Sequence, residues 1–138
     1  MKLTVNTGAM TIDVENEKGR KIGEFEFVPT DSNILQRYES VVDFFNGIKF
    51  PDDMSEDQSI EEIKKLDKEI RDQFDFLLGY HVSDGLFEQC GPLTSLSDGD
   101  FYFENVMTGV ANLISSIQGQ RVKKKMEKIK KATAAYHK

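Results

Sequence analysis

The sequence predicts an α+β fold, with an N-terminal β-hairpin packed on a mainly helical body and a long C-terminal helix that ends in basic residues. Three observations predict it. Apolar residues alternate with polar ones near the N-terminus, apolar stripes of helical spacing recur three times farther on, and lysines crowd the last nineteen residues.

The hairpin comes first. Met10, Ile12 and Val14 alternate with Thr11, Asp13 and Glu15, and Phe25 and Phe27 alternate with Glu24 and Glu26. Between them Asn16-Glu17-Lys18-Gly19 supplies turn chemistry, so a hairpin over about residues 9–28 follows, with Pro29 ending its second strand. A two-residue period places the apolar side chains on one face, which an isolated hairpin cannot bury. The expected cover is the helix carrying Tyr38, Val41 and Phe45.

That helix is predicted over about 31–46. Thr30, Asp31 and Ser32 offer N-caps, Ile34, Leu35, Tyr38, Val41, Val42 and Phe45 draw one stripe, and Asn46-Gly47 stops it. Pro51 to Gln58 is polar and acidic and reads as a loop. Ser59 with Glu62 forms a capping-box pattern for a second helix over about 59–78, whose stripe is Ile60, Ile63, Leu66, Ile70, Phe74 and Leu77 and whose C′ residue is Gly79. From Tyr80 to Asp100 an ordered loop is expected, with one helical turn at Leu86-Phe87. Ser97 or Asp98 then caps a third helix over about 100–118, striped by Phe101, Val106, Val110, Leu113, Ile114 and Ile117. It runs on, with or without a break at Gly119, into a basic helical extension over 120–138. Residues 1–119 are thus expected to form one domain with this extension appended.

The formal net charge of −6 is a sum of opposites. Gln120 to Lys138 carries eight Lys and Arg residues against Glu127 alone, a net +7, which leaves −13 on the other residues. An acidic body with a basic arm suits an arm that folds back, pairs with another subunit or holds an acidic partner. Hydrophobic residues at 38% and charged ones at 30% are ordinary for a chain that folds around a core. The residues Met1 to Thr7 form no continuous apolar run and no stretch approaches a membrane span, so a soluble, cytoplasmic protein is expected. Cys90 is the sole cysteine, which excludes an internal disulfide and a multi-cysteine zinc site.

Little chemistry is encoded in motifs. The two histidines are His81 and His137, and a Cys90–His81 dyad weighs less than a small core thiol beside a loop histidine. Asp52, Asp53, Glu56 and Asp57 crowd one loop, and Asp98 and Asp100 flank Gly99, but the alternating carboxylates of a calcium loop are missing. No phosphate-cradling glycine pattern occurs. No catalytic residue, metal site or cofactor is therefore expected. The lysines at Lys123, Lys124, Lys125, Lys128, Lys130 and Lys131 suit phosphates, yet stacking aromatics are not interleaved and the acidic body repels a duplex, so nucleic acid is the lesser reading.

The aromatic content points elsewhere. Ten phenylalanines and four tyrosines exceed what three amphipathic elements must bury, and Phe101-Tyr102-Phe103 cannot all point inward from one helix start. An exposed cluster of Leu86, Phe87, Phe101, Tyr102 and Phe103 is a candidate partner surface, with the six lysines as its electrostatic part. A core that wraps round a helix end accounts for the same residues.

The opening strand pair, Ile34-Leu35-Gln36-Arg37-Tyr38-Glu39, Asp72-Gln73-Phe74-Asp75-Phe76-Leu77-Leu78-Gly79, then Leu86-Phe87, Gly91-Pro92 and the Lys/Arg-rich final helix stand in an order that resembles the tail assembly chaperones of long-tailed phages and related prophages of low-GC Gram-positive bacteria. The resemblance implies a non-enzymatic, often oligomerising protein that coats the helical tape measure protein and keeps it soluble while tail-tube protein is recruited. It also implies a longer, frameshifted form in many such phages, for which Lys124-Lys125 and Lys130-Lys131 suit an A-rich slippery stretch. The setting so implied is the cytoplasm of an infected or lysogenic bacterial cell.

Overall fold

A computed structural model describes residues 1–48 and 56–136, with side chains described for 1–48 and 60–119. Its elements are β1 (Met10–Glu15), β2 (Lys21–Phe27), α1 (Ile34–Asn46), α2 (Glu56–Leu78), α3 (Val82–Leu86) and α4 (Tyr102–Tyr136). The fold is α+β, as the patterns require.

β1 and β2 pair antiparallel, with Met10 opposite Phe27, Ile12 opposite Phe25 and Val14 opposite Gly23. Directly opposed residues share a face, so one side of the hairpin is apolar throughout. Asn16 closes the turn: its Oδ1 accepts the N–H groups of Lys18 and Arg20 at 2.9 and 3.0 Å, and Gly19 takes a φ of +75°. On the polar face Asp13 opposes Glu24, a repulsive pair that Lys21 bridges at 3.5 and 2.7 Å.

The hairpin's neighbour differs from the expected one. β2 lies on α3 rather than on α1, because Gly23 and Gly85 remove the Cβ atoms that would keep the two backbones apart. A Cβ on Gly23 would collide with the carbonyl oxygen of Gly85, and one on Gly85 with that of Glu24. Phe25 and Phe27 are both buried. α3 is in turn pinned to α2, whose Asp75 accepts the Ser83 N–H at 2.7 Å and the Ser83 hydroxyl at 3.0 Å.

Several boundaries also move. α1 begins at Ile34 with Asn33 as its N-cap, because the Asp31 carboxylate is engaged with the Asn33 N–H at 2.9 Å and the Arg37 guanidinium at 2.7 Å. Arg37 also donates from Nε to the Leu77 carbonyl at 3.3 Å, tying α1 to the end of α2. α2 is already helical at Glu56, three residues ahead of the expected Ser59 cap. Its last turn closes through the Gly79 N–H to Asp75 O bond at 2.8 Å, with Gly79 at φ +130°. Neither Ser97 nor Asp98 caps α4. The loop before it folds back, so that the N–H groups of Tyr102 and Phe103 reach the carbonyls of Thr94 and Pro92 at 2.8 and 2.9 Å, and the Glu104 carboxylate accepts the Phe101 N–H at 3.3 Å. From there α4 passes Gly119 without a break.

The core sits between α1, α2, α3 and the first half of α4. Ile34, Val41, Ile70, Phe74 and Leu77 are its least accessible members, and Phe103, Met107, Val110 and Ile114 bring α4 to it at spacings of three and four. Aromatic rings link the layers: Phe45 meets Phe74 at 5.6 Å and Phe103 at 5.0 Å, and Phe74 meets Phe87 at 5.2 Å. Arg71, paired with Asp67 at 2.7 Å, lies over the Phe87 ring at 5.4 Å.

Candidate partner-binding surfaces

α4 joins the body through long side chains. Besides the Phe45–Phe103 contact, the Tyr102 hydroxyl donates to the Leu86 carbonyl at 3.3 Å, and Gln118 Nε2 to the Pro29 carbonyl at 3.4 Å. Spacing by such side chains leaves open grooves on both flanks of the helix. On the α1 side, one of about 320 Å³ has Tyr38, Val42, Phe45, Phe103 and Met107 on its floor and Glu104 on its rim. A smaller one of about 110 Å³ is lined by Ile34, Leu35, Ala111 and Ile114. Tyr38 belongs to both, so the two grooves adjoin along the α1–α4 seam from Glu104 to Ser115, about three turns of helix, where apolar side chains alternate with Asn46, Thr108 and Ser115. Leu35 stands on its edge, 62% exposed.

On the other flank, a groove of about 270 Å³ separates β1 from α4. Ile12, Val14, Val106 and Leu113 line it, and Asp13 and Glu15 give it an acidic border.

The residues singled out from sequence fall elsewhere. Leu86, Phe87 and Phe103 are core residues, each 3–4% exposed, and Phe101 and Tyr102 are half-buried. The aromatic cluster is thus a core wrapped round a helix end: Phe87 meets Tyr102 edge-on at 5.9 Å, and Phe101 stacks on Phe103 at 6.1 Å. In this conformation these residues form no exposed cluster, and Leu86 and Phe103 reach the surface only where they line the grooves above. Lys123, Lys124, Lys125, Lys128, Lys130 and Lys131 ride on the helical backbone of α4, and their side chains lie outside the described residues.

His81 and Cys90 keep different company. His81 takes a left-handed φ of +67°, lies tilted against the Tyr80 ring at 3.7 Å and sets Nδ1 at 3.2 Å from Asp84. Cys90 is half-buried near Tyr102, whose phenol is pushed up from its ordinary pKa by burial first and by the charge of an ionised Cys90 second. Asp98 Oδ1 accepts the Asp100 N–H at 2.9 Å, which makes that pair a turn. Asp52 and Asp53 lie outside the described residues. Among the described residues no group of three or more His, Cys, Asp or Glu side chains is placed to hold a metal, and no helix is long and apolar enough to cross a membrane.

Sequence reasoning missed the α1–α4 seam. Its signal was present in Val42 and Leu35, which widen the α1 stripe beyond what one packed face needs. No family model, curated protein or solved structure matches this chain.

Proposed function

We propose that this chain is a non-enzymatic assembly chaperone or adaptor that binds a long helical client in the α1–α4 seam. The client implied by the resemblance is the tape measure protein of a phage tail, with tail-tube protein as the next partner, in the cytoplasm of an infected or lysogenic bacterial cell. The seam is the observation that carries the reading. Its apolar side chains, among them Tyr38 and Val42 of α1 and Met107, Ala111 and Ile114 of α4, follow α4 for about three turns beside polar Asn46, Thr108 and Ser115, which suits an amphipathic helix laid in a groove. The division of charge between a −13 body and a +7 arm adds a means of orienting a client and keeping the complex soluble.

The reading expects a long, helix-rich reading frame just downstream of this gene, and the test is co-expression with it. The soluble fraction of that protein should rise and a complex should co-purify. Leu35→Asp, at an exposed position on the seam, should abolish the complex and leave the far-UV spectrum unchanged. A client whose solubility does not change and which yields no complex refutes the reading, as does binding indifferent to Leu35→Asp.

A further inference from the structure

Residues 1–9 run on from β1 with no turn, bend or strand pairing, and they expose Leu3 and Val5 to 89% and 64%. The segment alternates like a strand, Met1, Leu3 and Val5 against Lys2 and Thr4. β1, meanwhile, pairs on one edge only. Among the described residues no backbone hydrogen bond outside the hairpin involves Met10 to Glu15, so its outer edge is open to another strand.

The two sequences fit each other in one antiparallel register. With Leu3 opposite Ile12, Met1 faces Val14, Val5 faces Met10, Thr4 faces Thr11 and Lys2 faces Asp13. Every apolar residue meets an apolar one and the one basic residue meets an acidic one. Asp13 and Glu24 share Lys21 as their only described cation, so Lys2 would supply the charge that this face lacks. On the opposite face, Leu3 and Met1 would lie beside Ile12 and Val14, at the border of the open β1–α4 groove.

The register is also its own mirror. If residues 1–14 of one copy pair in it with residues 1–14 of another, the second copy's tail pairs with the first copy's β1 in the same way, about a two-fold axis between Thr7 and Gly8. At that axis the ladder is interrupted, since Asn6 Oδ1 accepts the Gly8 N–H at 3.0 Å, Thr7 Oγ1 accepts the Ala9 N–H at 3.3 Å, and Gly8 has a φ of +75°. The pairing consists of two flanking five-residue ladders.

We propose that a second copy of this chain occupies the β1 edge, the two molecules exchanging their N-terminal segments so that each β1 lies between its own β2 and residues 1–5 of the other copy. This does not depend on what the α1–α4 seam binds. Within a single copy the same register would require the chain to reverse over Asn6 to Ala9, and the local contacts of Asn6, Thr7 and Gly8 there do not amount to a turn or bend.

Two experiments on the full chain test it. Light scattering on a size-exclusion column should give twice the 15.7 kDa monomer mass. Leu3→Asp, at a position exposed in the single copy, should return the monomer with an unchanged far-UV spectrum. A monomeric parent, or a dimer indifferent to Leu3→Asp, overturns the proposal. In a Cys90→Ser background, Thr4→Cys with Thr11→Cys should oxidise to a covalent dimer, since directly opposed strand residues fall within disulfide reach. A disulfide closed within one chain, which would mean that the tail folds back on its own β1, overturns it, and so does the absence of any disulfide.

Discussion

Gly85→Ala tests the crossing of β2 and α3 on which the hairpin's placement rests. The added methyl would meet the Glu24 carbonyl oxygen, with that carbonyl's carbon at 2.7 Å and the Glu24 nitrogen at 3.5 Å. All three atoms are backbone, so no rotamer change relieves the clash, and one of the two elements must move. Overpacking a fitted site costs typically about 1–3 kcal/mol and sometimes more, and a rigid obstacle belongs at the upper end. Against this, losing glycine's freedom in the unfolded chain returns about 0.4–1 kcal/mol. A net loss of about 2 kcal/mol or more follows, a large part of the ~5–15 kcal/mol that holds a domain together. For a chain of this length that is a fall in Tm of roughly 7 °C or more. Gly109→Ala is the internal control, since a Cβ there has nothing within 4 Å and the site is interior to α4. It should stabilise by about 0.5–1 kcal/mol through helix propensity. Thermal unfolding followed by circular dichroism, with urea titrations to compare m-values, reads both. If Gly85→Ala melts within about 2 °C of the parent, or above it, the close crossing is wrong.

Other perturbations probe other joints. Phe27→Asp should lower stability by about 3 kcal/mol or more in urea, because the site is 3% exposed and offers a carboxylate no partner. Asp75→Ala should cost more than Ser83→Ala, about 2–3 against about 1 kcal/mol, since the first leaves both the Ser83 N–H and the hydroxyl unpaired at a buried residue. The hydrogen bond from Arg37, then that from the Asn33 N–H, holds the Asp31 carboxyl below its ordinary 3.8. A depressed pKa contributes stability that is complete above the unfolded value and disappears as the pH falls through the folded one, so Asp31→Asn should flatten the acid limb of the stability profile below about pH 4. In mobility-shift assays at low salt the full chain should leave DNA and RNA unshifted, and a shift abolished by truncation after Gly119 would instead assign the basic arm to nucleic acid.

The elements that could be read from sequence are those written in local periodicity. The alternation of Met10, Ile12 and Val14 and the stripe from Ile60 to Leu77 need only their own neighbours to be recognised, and both elements form, α2 reaching back at least to Glu56. What could not be read depends on residues distant in the chain or on backbone atoms. Gly23 and Gly85 carry no pattern, yet together they decide that β2 lies on α3. The start of α4 is satisfied by the carbonyls of Pro92 and Thr94, and carbonyls have no residue type, so the cap that residue types suggest falls on Ser97 and Asp98 instead. The aromatic surplus misled for a related reason. Counting stripes assumes that core is built along helix faces, whereas Phe87, Phe101, Tyr102 and Phe103 make core at a helix end, where a loop covers them from several directions. Likewise the seam depends on how far Phe45 and Phe103 hold two helices apart, a distance that no single residue encodes.

The backbone cap on α4 bears on the order in which the molecule assembles. The carbonyls of Pro92 and Thr94 and the amides they receive are separated by only a short stretch of chain. A loop of that size closes in roughly 10–100 ns, far faster than contacts between distant segments accumulate. The first turn of α4, the slow and unfavourable part of helix formation, is therefore templated locally. The meeting of Gly23 with Gly85 joins segments far apart in the chain and must wait for larger closures. Substitutions in the cap loop should consequently act on the folding rate, and those at the glycine crossing on the rate of unfolding, with φ-values near one and near zero respectively.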